Sequence, residues 1–147
     1  MLIREAIESD IETILSLYSS LEDKDEGLSK EKAIEIFEKM KTYPYHKVYV
    51  VENEGKIVGT FVLTILDYFA HNGKRAGVLE DVVVDERERS KGIGKLMLNF
   101  AIEECRKNNC YKLALSSNIK RERAHSFYEK NGFKLHGYSF WTEIRED

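Results

Sequence analysis

Apolar residues recur at helical spacing near the start of the chain, after a short strand predicted over Leu2 to Ala6. Ser9 or Asp10 is placed to cap the first predicted helix, and the mostly acidic residues 22–26 with Gly27 interrupt it. The apolar face of this helix is formed by Ile11, Ile14, Leu15 and Tyr18.

A second helix and a hairpin are predicted next. Ser29 caps this helix, whose apolar face carries Ala33, Phe37 and Met40. It ends before Pro44, because the residue preceding a proline avoids helical geometry. From Lys47 the period changes to that of strands. Residues 48–51 and 56–66 are rich in β-branched side chains and flank a turn at residues 53–55, which predicts an antiparallel hairpin.

The second half of the chain alternates strands with helices. This order predicts a mixed α/β sheet covered by helices, and with one proline and no linker we expect a single domain over residues 1–147. The predicted helix with the most regular apolar stripe ends at Asn108-Asn109. Its stripe consists of Ile93, Leu96, Met97, Phe100, Ala101 and Cys105. Around it we predict a loop at 67–77, strands at 78–84 and 111–117, a helix at 121–130 stopped by Asn131-Gly132, and one or two strands within 133–144.

Composition narrows the class of protein. The 147 residues suffice for one substantial core, and a net charge of −3 does not favour a nucleic-acid partner. No apolar run approaches membrane-spanning length, and the first residues lack the apolar stretch of a signal peptide. Cys105 and Cys110 form neither a Cys-x-x-Cys motif nor a disulfide framework. We therefore expect a cytoplasmic protein with two reduced thiols and neither a membrane nor a nucleic-acid partner.

A glycine-containing loop joins the strand at 78–84 to the predicted helix whose apolar stripe begins at Ile93. Glycines let a backbone approach a ligand closely, and the first turn of a helix presents amide N–H groups without intrahelical partners. Together with the helix dipole and nearby cations, this predicts a pyrophosphate site. Its members are Arg89, Ser90, Lys91, Gly92, Ile93, Gly94 and Lys95.

Two common nucleotide motifs are incomplete at this loop. A P-loop requires Ser or Thr after Gly-Lys, but Leu96 follows Gly94-Lys95. A dinucleotide fingerprint requires a third glycine where Met97 stands, and an acid where the next strand ends in Ser117-Asn118.

The residues around the loop resemble the GNAT superfamily of acyl-CoA-dependent N-acetyltransferases. Arg89, Gly92 and Gly94 match its Arg/Gln-x-x-Gly-x-Gly/Ala signature, and residues 80–85 are similar to its fourth strand. A second conserved region is matched by Asn118, Ala124, Phe127-Tyr128 and Gly132-Phe133. The resemblance runs from about Val78 to Phe140 and implies a mixed, mostly antiparallel central sheet flanked by about four helices.

The resemblance also implies roles for individual residues. Backbone groups of Val82, Val83 and Val84 are expected to pair with the pantetheine arm of acetyl-CoA, residues 89–95 to surround its pyrophosphate, and Asn118 and Phe127 to flank the arm. The backbone N–H of Val82 or Val83 is expected to stabilise the oxyanion.

Tyr128 is the candidate acid for the departing thiol, with packing in a core as the structural alternative. Glu80 is the candidate base acting through water, with a salt bridge at a strand end as its alternative. By strand alternation Glu80, Val82 and Val84 share one face and Asp81 lies on the other. Cys105 lies on the apolar stripe of its helix and Cys110 at a helix–strand junction, and neither belongs to a recognisable basic motif, which favours direct attack. No metal site is expected, because His46, His71, His125 and His136 are scattered.

The acceptor is less sharply defined. Residues 117–128 are similar to aminoalkylphosphonate acetyltransferases, and residues 80–84 with 109–112 to acetyltransferases of phosphorylated amino sugars. We expect the primary amine of a small molecule, with a protein or peptide acetyltransferase and a non-catalytic acyl-CoA-binding module as alternatives. The oligomeric state stays open, a homodimer included. The remaining basic candidates are His71, Lys74 and Arg75 for the acceptor, and Lys120, Arg121 and Arg123 for the 3′-phosphate of CoA, with solvated surface as the alternative for both groups.

Overall fold

The computed structural model describes residues 1–19 and 27–144. The predicted interruption at residues 22–26 lies outside these residues. Contact density separates residues 1–115 from the segment that begins at Ser116, and the two units are described in turn. In chain order, the described strands and helices are β1 (Leu2–Glu5), α1 (Ile11–Tyr18), α2 (Lys30–Met40), β2 (His46–Asn53), β3 (Lys56–Leu66), β4 (Arg75–Val84), α3 (Ile93–Lys107), β5 (Cys110–Leu115) and α4 (Glu122–Lys130).

One five-stranded sheet organises the first unit. Its strand order is β1-β2-β3-β4-β5, antiparallel throughout except for the parallel pair β4 and β5. The predicted hairpin is confirmed. Its tight turn uses Glu54 and Gly55, both at positive φ (50° and 75°), as two-residue hairpin turns require. The mixed, mostly antiparallel sheet with four described helices confirms the predicted fold class.

Helix α3 packs on one face of the sheet, which we call the α3 face. The rings of Phe61 and Tyr49 contact Phe100 with centroids 6.1 and 4.9 Å apart. The predicted stripe is confirmed except at one position, since Leu96 is exposed and Leu98 is buried in its place. The buried residues of α3 are Ile93, Met97, Leu98, Ala101 and Cys105.

Helix α1 packs on the opposite face, which we call the α1 face. Ala6, Ile14 and Val50 form a buried cluster there, against which Tyr18 and Phe37 pack. The burial of apolar side chains on both faces is the main force holding the helices to the sheet.

The two predicted helix caps have different outcomes. Ser29 caps α2 as predicted, its hydroxyl accepting from the Lys32 N–H at 3.2 Å. Asp10 occupies the cap position of α1 but makes no cap hydrogen bond. Its carboxylate instead accepts from the Arg4 guanidinium and, at 2.9 Å, from the Ile7 N–H.

The start of one predicted strand is wrong, and one predicted strand region is absent. Strand β4 begins at Arg75 rather than at residue 78, because Ala76 and Gly77 pair with both neighbouring strands instead of forming a loop. Residues 133–144 form no strand, although their side chains alternate. Alternation supplies one suitable face but no partner, and a strand requires a hydrogen-bonded neighbour. None of the described helices is long and apolar enough to span a bilayer.

The second unit is built around α4. The helix ends in a Schellman motif, in which the Gly132 N–H donates to Glu129 O at 3.0 Å and the Phe133 N–H to Tyr128 O at 3.1 Å. Gly132 has a φ of 88°, which a residue with a Cβ adopts only with strain. The sequence prediction of a stop at Asn131-Gly132 is confirmed.

Candidate functional site

Strand β4 extends beyond the end of its parallel neighbour, β5. The pairing of β4 with β5 ends where Leu79 faces Leu115, whereas β4 continues to Val84. Residues 80–84 therefore have β3 on one side and, among the described residues, no strand on the other. We call this unpaired side the open edge of β4. An extended ligand can add to such an edge through main-chain hydrogen bonds.

A β-bulge interrupts β4 at the open edge. Glu80 faces Val62 of β3 and Val83 faces Thr60, which leaves Asp81 and Val82 together opposite the single residue Phe61. The prediction that Glu80, Val82 and Val84 share a face is wrong, because the extra residue reverses the alternation beyond the bulge. By register, Glu80 and Val83 share the α1 face.

The loop after β4 leads directly into the start of α3. The Asp85 N–H donates to Val58 O at 2.9 Å, and the Asp85 carboxylate accepts from the Arg87 N–H at 2.9 Å. Ser90 and Gly92 both have positive φ, at 66° and 82°. No side chain caps α3, and a Cβ placed on Gly92 would meet no atom within 4 Å. The first amides of α3 therefore have no side-chain cap, and such uncapped amides suit an anion.

Three exposed cations lie around this helix start. Arg89 pairs with Glu86 at 3.5 Å and Lys91 with Glu88 at 2.9 Å, while Lys95 lies in the first turn of α3. Exposed pairs of this kind contribute little stability, so a phosphate can replace the carboxylates at small cost. Ile93 is buried in the core, and only its main chain is left for a ligand.

The candidate residues of the second unit begin at a tight turn. Asn118 Oδ1 accepts from the Lys120 N–H at 2.9 Å, and Asn118 O accepts from the Arg121 N–H at 2.9 Å. The hydroxyl of Ser117 just before this turn is buried and has no hydrogen-bond partner among the described residues. A buried hydroxyl without a partner is costly, so a ligand atom that reaches it gains a hydrogen bond. The sequence analysis did not single out Ser117.

Tyr128 is held by the C-terminal turn of α4. Its ring centroid lies 5.9 Å from that of Phe133 and 5.5 Å from that of Phe127. Burial raises the pKa of Tyr128, and the charge of Arg121 partly opposes this. The phenol therefore stays protonated at neutral pH and can act as a proton donor.

The two thiols are poorly suited to nucleophilic catalysis. Burial raises the pKa of the Cys105 thiol to about 12, and burial also raises that of Cys110. Since the thiolate is the reactive form, both groups are largely unreactive at neutral pH. Among the described residues, no three His, Cys, Asp or Glu side chains come together as metal ligands do.

Comparison with known families identifies the architecture. Residues 11–133 match the model of the Acetyltransferase (GNAT) family. The chain belongs to the GNAT family.

Individual GNAT relatives are similar over part of their length. The chain is 40% identical over 90 residues to a glucosamine 6-phosphate N-acetyltransferase of Trypanosoma brucei brucei, an alignment that covers 61% of this chain and 59% of the relative. It is 34% identical over 86 residues to an aminoalkylphosphonate N-acetyltransferase of Salmonella typhimurium, covering 58% and 55% of the two chains. The chain thus matches less than two thirds of the length of these curated relatives.

A solved GNAT structure matches over nearly the whole chain. The glucosamine-6-phosphate N-acetyltransferase of Arabidopsis thaliana superimposes with a TM-score of 0.86 at 30% identity, covering 98% of each chain. The two partial likenesses predicted from sequence, to amino-sugar phosphate and to aminoalkylphosphonate acetyltransferases, are therefore confirmed as relationships of this GNAT chain.

The candidate residues fit the phosphates and the arm of CoA in this GNAT chain. The open edge of β4 suits an extended arm, and the uncapped start of α3 suits a pyrophosphate.

Proposed function

We propose that the protein is an N-acetyltransferase that moves an acetyl group from acetyl-CoA to the primary amine of a small molecule. One observation carries this proposal. In this GNAT chain, a single loop connects the strand with the open edge to a helix whose start has no side-chain cap. We further propose that residues 1–147 act as a single acetyltransferase domain in the cytoplasm.

Main-chain groups make most of the proposed contacts with the donor. Val82, Val83 and Val84 offer backbone groups at the open edge to the pantetheine arm. The loop from Arg89 to Lys95 offers amide N–H groups and three cations to the pyrophosphate. Asn118 and Phe127 of the second unit contact the arm. When bound, acetyl-CoA supplies the thioester whose acetyl group is transferred.

Tyr128 supplies the proton that the leaving thiolate requires. In the overall transfer a C–N bond forms, the thioester C–S bond breaks, the amine loses a proton and the sulfur gains one. A thiol has a pKa of about 8.5 and an ordinary phenol one of about 10, so donation from an ordinary phenol costs about 2 kcal/mol. Burial raises the pKa of Tyr128, which keeps the phenol protonated at neutral pH and adds to the cost of the donation.

Glu80 supplies the base. Its carboxylate is exposed at the start of the open edge and makes no ion pair with the described residues, so a water molecule has access to it. An amine must lose its proton before it attacks, and Glu80 takes this proton through water. The backbone N–H of Val82 or Val83, beside the bulge, donates to the oxyanion.

The acceptor is a small primary amine that carries an anionic group. The names of the relatives support this choice, since glucosamine 6-phosphate and aminoalkylphosphonates combine an amine with a phosphate or phosphonate.

We also propose that the protein is a homodimer. Residues 133–144 carry several large apolar side chains that are more than four-fifths exposed, and soluble proteins seldom leave such a patch uncovered. A second copy of the chain buries these side chains in the dimer interface. These side chains are Leu135 (83%), Tyr138 (86%), Phe140 (89%), Trp141 (86%) and Ile144 (87%).

The decisive experiment measures acetyl-CoA-dependent release of free CoA with a panel of amines. We expect turnover with amino-sugar phosphates or aminoalkylphosphonates. Tyr128→Phe should lower kcat about 100-fold or more while its affinity for CoA is kept. Activity on peptide amines alone would make the protein a peptide acetyltransferase, and CoA binding without any turnover would make it a binding module. An unchanged kcat in Tyr128→Phe would remove Tyr128 as the acid.

A further inference from the structure

A cavity of about 310 Å³ lies where the end of α2 meets the start of β2, and we call it the α2–β2 pocket. Its apolar lining includes Phe37 and Met40 of α2 and Val48 of β2. This volume is at the lower end of the range that holds a small molecule. The described lining belongs entirely to the first unit and includes none of the residues proposed to bind CoA.

Positive charges predominate among the ionisable groups that line the α2–β2 pocket. Lys41 pairs with Glu38 at 2.7 Å. Lys47 pairs with Glu5, the carboxylate in the described lining. Both ion pairs are solvent-exposed and therefore contribute little stability. An anionic ligand can replace the two carboxylates at small cost.

His46 adds an imidazole to the same lining. Its Nδ1 lies 2.6 Å from the Thr64 hydroxyl, and its ring centroid lies 5.7 Å from that of Tyr43, which also lines the pocket. These contacts orient the ring, whereas Nε2 has no hydrogen-bond partner among the described residues. When Nδ1 accepts from the Thr64 hydroxyl, Nε2 carries the proton and can donate to an anion.

The α1 face of the sheet is only partly covered between the pocket and the proposed base, Glu80. His46, Thr64 and Val78 lie side by side on β2, β3 and β4, and all three are half-buried. On the α3 face, by contrast, the neighbouring Leu79 is buried. Strand alternation places Glu80 on the same face as Val78, two residues further along β4. A partly open row of side chains therefore leads from the pocket to Glu80.

The register gives the length of this path. Val48 of the pocket pairs with Val62, and Val62 pairs with Glu80. Cα atoms of antiparallel pairs are about 4.5–5.5 Å apart, so the Cα atoms of Val48 and Glu80 are separated by about 10 Å. The Glu80 side chain and a water molecule span part of this distance, and a ligand has to span the rest.

We infer that the α2–β2 pocket binds the anionic group of the acceptor, and that the acceptor lies along the α1 face with its amine beside Glu80. This inference rests on the proposed acetyltransferase function. Lys41, Lys47 and His46 supply the groups that bind the anion. The separation from Glu80 specifies the substrate class, because the amine and the anion must be held apart by a body the size of a sugar ring. The short carbon chain of a simple aminoalkylphosphonate does not reach both places.

The test compares the double variant Lys41→Gln/Lys47→Gln with the wild type, using glucosamine 6-phosphate and glucosamine as acceptors. We expect kcat/KM for glucosamine 6-phosphate to fall at least about tenfold through a higher KM, because charge-assisted hydrogen bonds to the phosphate are lost. The value for glucosamine, which has no phosphate, should stay within about twofold of the wild type. The wild type should prefer glucosamine 6-phosphate to 2-aminoethylphosphonate at least about tenfold in kcat/KM.

Lys39→Gln is the matched control. Lys39 is an exposed lysine in the last turn of α2 and does not belong to the described lining of the pocket. The same change of charge at this position should leave kcat/KM for both acceptors within about twofold of the wild type.

Each alternative result has a distinct meaning. Wild-type kcat/KM for glucosamine 6-phosphate in the double variant would overturn the inference and leave the proposed function intact. An equal loss with both acceptors, or an equal loss in Lys39→Gln, would also overturn it, since neither effect depends on a phosphate in the pocket. A wild-type preference for 2-aminoethylphosphonate would contradict the required separation and overturn it as well. A wild-type protein that acetylates no amine would overturn the proposed function and the inference together.

Discussion

Arg4 and Asp10 connect the first strand to the turn before α1. The guanidinium donates to both carboxylate oxygens at 2.7 and 3.1 Å, and Asp10 is largely buried. The hydrogen bonds from Arg4 hold the pKa of Asp10 below its usual value, against an opposing effect of burial. Arg4 also donates to Glu52 of β2 at 3.1 Å, so one guanidinium joins three chain segments.

Replacing Asp10 by Asn should lower the free energy of unfolding by about 2 kcal/mol at neutral pH, because charged hydrogen bonds are lost. The pKa of Asp10 is lowered on folding, so its contribution is present above the unfolded value of about 3.9 and is lost as the pH falls through the folded value. The difference between wild type and variant should therefore shrink below about pH 4. Urea unfolding at several pH values measures this.

The matched control is Glu12→Gln. Glu12 pairs with Lys30 at 3.1 Å, but both side chains are more than half exposed. We expect a change below about 0.5 kcal/mol for this variant. An equal loss in both variants would contradict the assignment of a special role to the Arg4–Asp10 pair.

At the scale of elements, the contact between α3 and β4 depends on a glycine. A Cβ added to Gly77 would overlap Cys105 Sγ and lie 3.1 Å from Leu113 Cδ1. The helix can therefore approach the sheet closely only where β4 has no side chain. This close approach sets the position of α3 relative to the open edge.

Gly77→Ala should destabilise the protein by about 1–3 kcal/mol through overpacking. Adding Cys105→Ala removes the overlapping sulfur, so the double variant should lose at least about 1 kcal/mol less than the sum of the single variants. Urea midpoints of the four proteins give this coupling. Gly27→Ala is the control, since nothing lies within 4 Å of its added Cβ. Additive losses would contradict the proposed contact.

Sequence patterns predicted most elements because local signals and burial agree in them. The α3 stripe, the Ser29 cap and the stop at Gly132 each depend on residues within one or two turns. The bulge at Asp81 was missed, because it is defined by which β3 residue lies opposite, and a single strand does not contain that information. The start of β4 was missed because Gly77 resembles a loop residue, whereas its glycine serves close packing.

In the candidate site, too, one part was predicted from the sequence and is confirmed, and another part stays a prediction. The loop at 89–94 was recognised from its residue types, and its position before α3 is confirmed. The roles of Glu80, Tyr128 and the other site residues stay predictions, since they concern chemistry with a bound donor. A glutamate next to an aspartate within a β-branched strand was the one available signal that this stretch is more than a core strand.

At the scale of the whole molecule, the exposed apolar segment at residues 133–144 makes self-association testable. Sedimentation equilibrium of the full chain should give twice the mass of one chain, and Trp141→Lys should shift the protein towards the monomer. The same substitution at Ile119, which is 85% exposed but lies outside the segment, should leave the dimer intact. A monomeric wild type at micromolar concentration would contradict the homodimer.

The open edge of β4 also bears on how a chain of this kind diverges. Under the proposed function, the donor is bound by backbone peptide groups, which every amino acid except proline carries in full, so most point substitutions leave them in place. Side chains at Val82 and Val84, both only half-buried, are then free to drift as long as they suit a strand. Substitutions that change the preferred acceptor are then expected in side chains beside this strand rather than in its main chain, so a new acceptor can be acquired without losing the old donor.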